Sequence, residues 1–151
     1  MHYKTVKDVV EYSRQLHHQL GELYHNLGQK QEQIRVSMLL EYLKRHELHL
    51  EKVLNQFEHD KSQKVLDSWF SYVPEQDLTQ VLSTIDLHPN MNADDVVLMA
   101  LQLDDYFIEL YQGMLESANS PTVKSVFQNL LEMEQQEKIR TARTALELRD
   151  M

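Results

Sequence analysis

Cysteine is absent from the sequence, and only three glycines and three prolines occur in 151 residues. The first absence removes disulfides, thiolate chemistry and cysteine-ligated iron, so any metal must be held by nitrogen and oxygen. The scarcity of Gly and Pro leaves few places for tight turns and favours long helices over a many-stranded fold. A surplus of positive charge is also missing. Fifteen Lys and Arg stand against 24 Asp and Glu, for a formal net charge of -9. Without a basic face to displace counterions, nucleic acid is not an expected partner. No apolar run is long enough to span a bilayer, and Met1 to Asp8 leads into amphipathic sequence with no apolar signal core, so no membrane partner and a cytoplasmic location are expected.

Hydrophobic residues make up 42% and charged residues 26% of the chain, a balance suited to one core and one domain spanning 1–151. Val6, Val9, Leu16, Leu20, Leu23 and Leu27 recur at mostly three- and four-residue steps, predicting a first helix over Thr5 to Leu27 with Gly28 as its stop. A second, over Gln31 to His59, follows a heptad seam of Val36, Leu39, Leu43, His46, Leu50, Val53 and Phe57. The pattern breaks from Asp60 to Asn92, where an apolar cluster around Trp69 precedes Pro74, a short stretch from Leu78 to Leu87, and Pro89. This segment is a long crossover carrying one or two short helices. Asn92 or Asp94 caps a third helix running to about Leu115, and Ser120-Pro121 starts a fourth with Val123, Phe127, Leu130, Glu134, Glu137, Thr141, Ala145 and Leu148 along one side. Two antiparallel pairs joined by a long crossover make an all-α four-helix bundle.

The halves repeat. A shift of 87 positions lays Leu16, His17, Glu22, Leu23 and Tyr24 onto Leu103, Asp104, Glu109, Leu110 and Tyr111. A shift of 88 lays His46 and His49 onto Glu134 and Glu137, with the one-residue difference assigned to the turns. His17, His46, His49, Asp104, Glu134 and Glu137 are all competent metal ligands at inner positions, and burying such groups is costly unless they are paired or bind an ion.

On these residues the sequence resembles the ferritin-like, rubrerythrin-type di-iron proteins, in which one Glu on each of two helices and a Glu-x-x-His on each of the other two surround a metal pair. His17 and Asp104, each followed seven residues later by a tyrosine (Tyr24 and Tyr111), stand where that family has its single glutamates. His46-Glu47-Leu48-His49 and Glu134-Gln135-Gln136-Glu137 stand where it has Glu-x-x-His, and only His49 and Glu134 keep the family's residue. The resemblance implies a ferritin-like bundle with a mono- or dinuclear metal site, iron first and zinc or manganese as alternatives. It also implies an oxidoreductase reacting with O2 or peroxide, and a homodimer rather than a cage. The competing expectation is a non-enzymatic helical interaction or regulatory protein whose three imidazoles and three carboxylates balance without an ion. His18 and His25 flank the inner stripe and are expected at the rim. Tyr24 and Tyr111 are expected to pack, and the Val65 to Val73 cluster either covers the bundle or forms a dimer surface.

Overall fold

The structure, a computed structural model, describes residues 3–72 and 77–149. Four long helices dominate it: α1 (Val6–Gln29), α2 (Ile34–Asp60), α5 (Ala93–Ser117) and α6 (Pro121–Arg149). The crossover between α2 and α5 carries two short helices, α3 (Gln63–Leu66) and α4 (Leu78–Ser83). It also contributes a strand that helical periodicity could not reveal. β2 (Trp69–Tyr72) pairs antiparallel with β1 (Tyr3–Thr5), and the ribbon continues as Val6 N–H donates to Ser68 O at 3.1 Å. The crossover is thereby tied to the start of α1. Val73 of the predicted apolar cluster, and Pro74 after it, lie outside the described residues. Leu66 is buried, whereas Trp69 is 72% exposed.

The helix starts follow the capping residues. Thr5 and Asp8 form a capping box on α1, as Asn92 and Asp95 do on α5, which decides for Asn92 over Asp94 as the cap. Each box satisfies two backbone donors that the first turn leaves without partners. Ser120 Oγ accepts from Val123 N–H at 3.2 Å ahead of α6, with Pro121 in the first helical position, where its missing N–H does no harm. Gly28 does not stop α1, which runs one residue further to Gln29.

α1 lies along α2 and α5 along α6, while α2 touches both helices of the second pair. The core runs through all four, with Leu20, Leu40, Phe107 and Phe127 among its fully buried side chains. Each such side chain contributes about 1.5–3 kcal/mol relative to remaining in water. Among the described residues, no helix is long and apolar enough to cross a membrane.

A single shift of 87 fits both halves. It superposes Leu16 on Leu103, Leu20 on Phe107, Tyr24 on Tyr111, Val36 on Val123, Leu40 on Phe127 and Leu43 on Leu130, and every one of these is buried. The 88-residue shift of the second helix is therefore corrected. A heptad seam assumes 3.5 residues per turn, but a straight helix turns every 3.6 and drifts by about 20° per heptad. By the middle of α2 the inner stripe has moved to Leu43, His46, Glu47, Leu50 and Leu54, leaving Val53 only partly buried and His49 exposed.

Candidate metal centre

At mid-height of the bundle each long helix turns a polar side chain inward: His17 from α1, His46 and Glu47 from α2, Asp104 from α5, and Glu134 and Glu137 from α6. Five of the six residues expected from sequence come together here. His49 does not, because it projects to solvent two positions past the buried Glu47. Glu47 was the residue missed. The signal was present, since the 87-residue shift that aligns His17 with Asp104 also aligns Glu47 with Glu134.

His17 is the hub. Its Nδ1 is hydrogen-bonded to the Glu47 carboxylate and its Nε2 lies 2.9 Å from Glu134 Oε1. The ring stacks on Phe107, with centroids 3.9 Å apart and planes 13° from parallel. Burial alone would lower the pKa of this imidazole, but the two carboxylates outweigh it and raise the value to about 10. Both ring nitrogens are then protonated and donate.

His46 forms the other side. Its Nδ1 lies 3.3 Å from Glu137 Oε2, and its Nε2 is 3.9 Å from Asp104 Oδ1 and 3.5 Å from Thr141 Oγ1. Here too burial works to lower the pKa, and Asp104, Glu47 and Glu137 reverse the shift. Asp104 is pushed up to about 6, chiefly by burial, with the His46 contact opposing. Arg140 Nη1 donates to Glu137 Oε1 at 3.0 Å from the bundle's outer side. Access is uneven, as His17 and Glu134 are wholly buried while His46 and Glu137 each keep 7% of their surface.

Two tyrosines wall the layer. Tyr24 and Tyr111 are buried, and desolvation pushes both phenols well above their usual value, helped by Glu47 and Asp104 for Tyr24 and by Glu134 for Tyr111. Both stay neutral, in keeping with their expected packing role. His18 and His25 are exposed as expected, and His18 pairs with Glu51 and Glu22 at the surface.

The backbone arrangement has a counterpart among solved structures. A crystal structure from Thermotoga maritima, described as a candidate ferritin-like diiron-carboxylate protein, superposes with a TM-score of 0.62 over 97% of this chain and 98% of its own, at 12% identity. The fold is ferritin-like. No protein-family model matches the chain, and no curated protein is similar to it. At 12% identity the likeness concerns the ferritin-like backbone alone, so what the layer can hold must be argued from its own atoms.

Those atoms suit a cation. Ligand atoms of His46, Glu47 and Asp104 all lie within 4.8 Å of one another. Among the described residues, Asp104 Oδ2 and Glu134 Oε2 are buried with no hydrogen-bond partner. A buried carboxylate oxygen without a partner costs on the order of 1–3 kcal/mol or more, a cost that a metal ion at that point would remove. Replacing His49 by Glu47 also changes the charge count. Among the described residues the layer holds four carboxylates, Glu47, Asp104, Glu134 and Glu137, against two imidazoles, His17 and His46. The three-to-three balance expected from sequence does not occur, and the surplus is negative.

Proposed function

We propose that this ferritin-like chain binds a metal ion in the buried layer, and that the ion is a transition metal, with iron first and zinc or manganese as alternatives. The observation that carries this reading is the pair of unpartnered, buried carboxylate oxygens on Asp104 and Glu134, beside the converging ligand atoms of His46, Glu47 and Asp104. Imidazole with carboxylates suits Fe, Zn and Mn, and a net negative layer favours a divalent cation. A redox metal there would supply electron transfer to O2 or peroxide through an open coordination position, which is the basis for the oxidoreductase reading.

The chain's own residues define the rest. His17 donates to Glu47 and Glu134 and so fixes how two carboxylates point, as residues behind a metal's ligands commonly do. Phe107, stacked on His17, keeps water from the closed side. The Glu137–Arg140 pair marks the less buried edge, through which a small oxidant would pass. A homodimer and a cytoplasmic location belong to the same proposal.

A non-enzymatic interaction protein that has lost its centre is favoured by one feature, the closed network of His17 with two carboxylates. Elemental analysis separates the readings. The protein is purified without an affinity tag, stripped, and reloaded anaerobically with Fe(II), Zn(II) or Mn(II). Tight stoichiometric metal that is lost in Asp104→Asn supports the proposal, and an O2-dependent optical change in the iron form supports redox chemistry. No retained metal under any loading would contradict metal binding and redox chemistry alike and leave the interaction-protein reading standing.

A further inference from the structure

We infer that the layer holds one metal ion, not two, seated by His46, Glu47 and Asp104, and that the His17 ring takes the place a second ion would need between Glu47 and Glu134. This rests on the metal-binding reading above and narrows it.

A pair of ions in a ferritin-like bundle draws on one side chain from each of two helices and on two side chains, three residues apart, from each of the others. With the single 87-residue shift, those six positions are His17 and Asp104, Glu47 with Leu50, and Glu134 with Glu137. Leu50 is fully buried, so the first half of the chain offers hydrocarbon where the second half offers the Glu137 carboxylate. His46 adds a ligand one position before Glu47, on the side of Asp104 and Glu137, and its counterpart under the shift is Met133. The first half thus lacks the donor that the second half has in Glu137, and gains one in His46 beside Asp104 and Glu137.

His17 itself stands in the way of a second ion. Both ring nitrogens are turned to carboxylate oxygens, one on Glu47 and one on Glu134, and the face of the ring is held against Phe107. Neither nitrogen is left to meet a metal ion. Glu47 and Glu134 are each other's equivalents under the repeat, the pair best placed to be shared by two ions, and they are joined by an imidazole instead. Among the described residues, the one group of three potential ligands whose atoms lie within 4.8 Å of one another is His46, Glu47 and Asp104, and it excludes His17. Asp104 keeps an unpartnered oxygen there, and Glu134 has another on the side away from His17.

The test is a titration of the metal-free protein with Co(II) alone, following the visible absorption of the bound ion and the metal-to-protein ratio after gel filtration. One absorption step ending at one ion per chain is expected. His46→Gln should bind no ion at concentrations that saturate the wild type. His17→Gln should still end at one ion, with affinity lower by roughly 10–100-fold, the usual effect of removing a group that orients a ligand. Two ions per chain, or a loss of binding in His17→Gln equal to that in His46→Gln, would overturn the single-ion inference and leave metal binding standing. No ion in the wild type would overturn both. If a variant does not fold, as judged by circular dichroism, the wild-type end point alone decides.

Discussion

The two halves of this bundle share a backbone pattern and divide the chemistry unequally. Under the 87-residue shift, Tyr24 matches Tyr111 and Glu47 matches Glu134, yet His17 faces Asp104, Leu50 faces Glu137 and Leu54 faces Thr141. All ten are buried. The first half supplies an imidazole and two leucines; the second supplies two carboxylates and a hydroxyl in their place. Packing constrains size and burial, so a repeat can persist in the volumes of its side chains while polar groups at equivalent points diverge. The result is a layer with an occupied, closed side at His17 and an open-handed, electron-rich side at His46.

The largest effects should come from the one carboxylate position in the layer that the halves have in common. Glu47→Ala and Glu134→Ala each leave one His17 N–H buried without a partner, and each is expected to destabilise the metal-free protein by about 3–5 kcal/mol in urea unfolding. Near-equal losses would confirm that the two carboxylates are equivalent, and losses below about 1 kcal/mol would deny the His17 network any structural part. Next come Phe107 and its counterpart Leu20. Phe107→Ala should cost about 3–5 kcal/mol and Leu20→Ala about 2–5 kcal/mol. Phe107→Ala alone should also disturb His17, against which that ring is stacked, visible as a shift of the His17 ring signals in NMR.

The pH dependence sharpens the contrast between the sides. His17 in the folded chain has a pKa of about 10, against 6.5 for the free side chain. The folded state therefore binds the proton more tightly, and this stabilisation is complete below pH 6.5 and lost as pH rises through 10. Asp104, raised by burial from 3.8 to about 6, acts in the same sense at lower pH, its contribution being lost as pH climbs through 6. The melting temperature of the metal-free protein should fall between pH 7 and 10, and His17→Gln should flatten that fall. The smallest effect is expected at His49. His49→Ala should change stability by no more than about 0.5 kcal/mol and leave metal content unaltered, since the side chain faces solvent.

The long helices and their order were legible in the sequence because apolar spacing and caps such as Thr5, Asn92 and Ser120 act locally. Five of the layer's residues were legible for a related reason, being polar groups on otherwise apolar stripes. Glu47 was overlooked because a seam read at 3.5 residues per turn drifts off the true inner face within a few turns, and His49 was chosen in its place because the 88-residue shift and its spacing from His46 made the two an attractive ligand pair. The β1–β2 ribbon was not legible, since pairing Tyr3–Thr5 with Trp69–Tyr72 depends on where the bundle carries two distant segments. The ion pair between Arg140 and Glu137, one turn apart on α6, could be anticipated as spacing but not as a link to the layer's less buried edge.

The most direct measurement is anomalous X-ray scattering from crystals grown with Zn(II) or Mn(II), collected on either side of the metal's absorption edge. A peak is expected inside the bundle at about 2.0–2.2 Å from a nitrogen of His46 and from oxygens of Glu47 and Asp104. Metal confined to surface sites such as His18 and Glu51, with no peak in the buried layer, would contradict it.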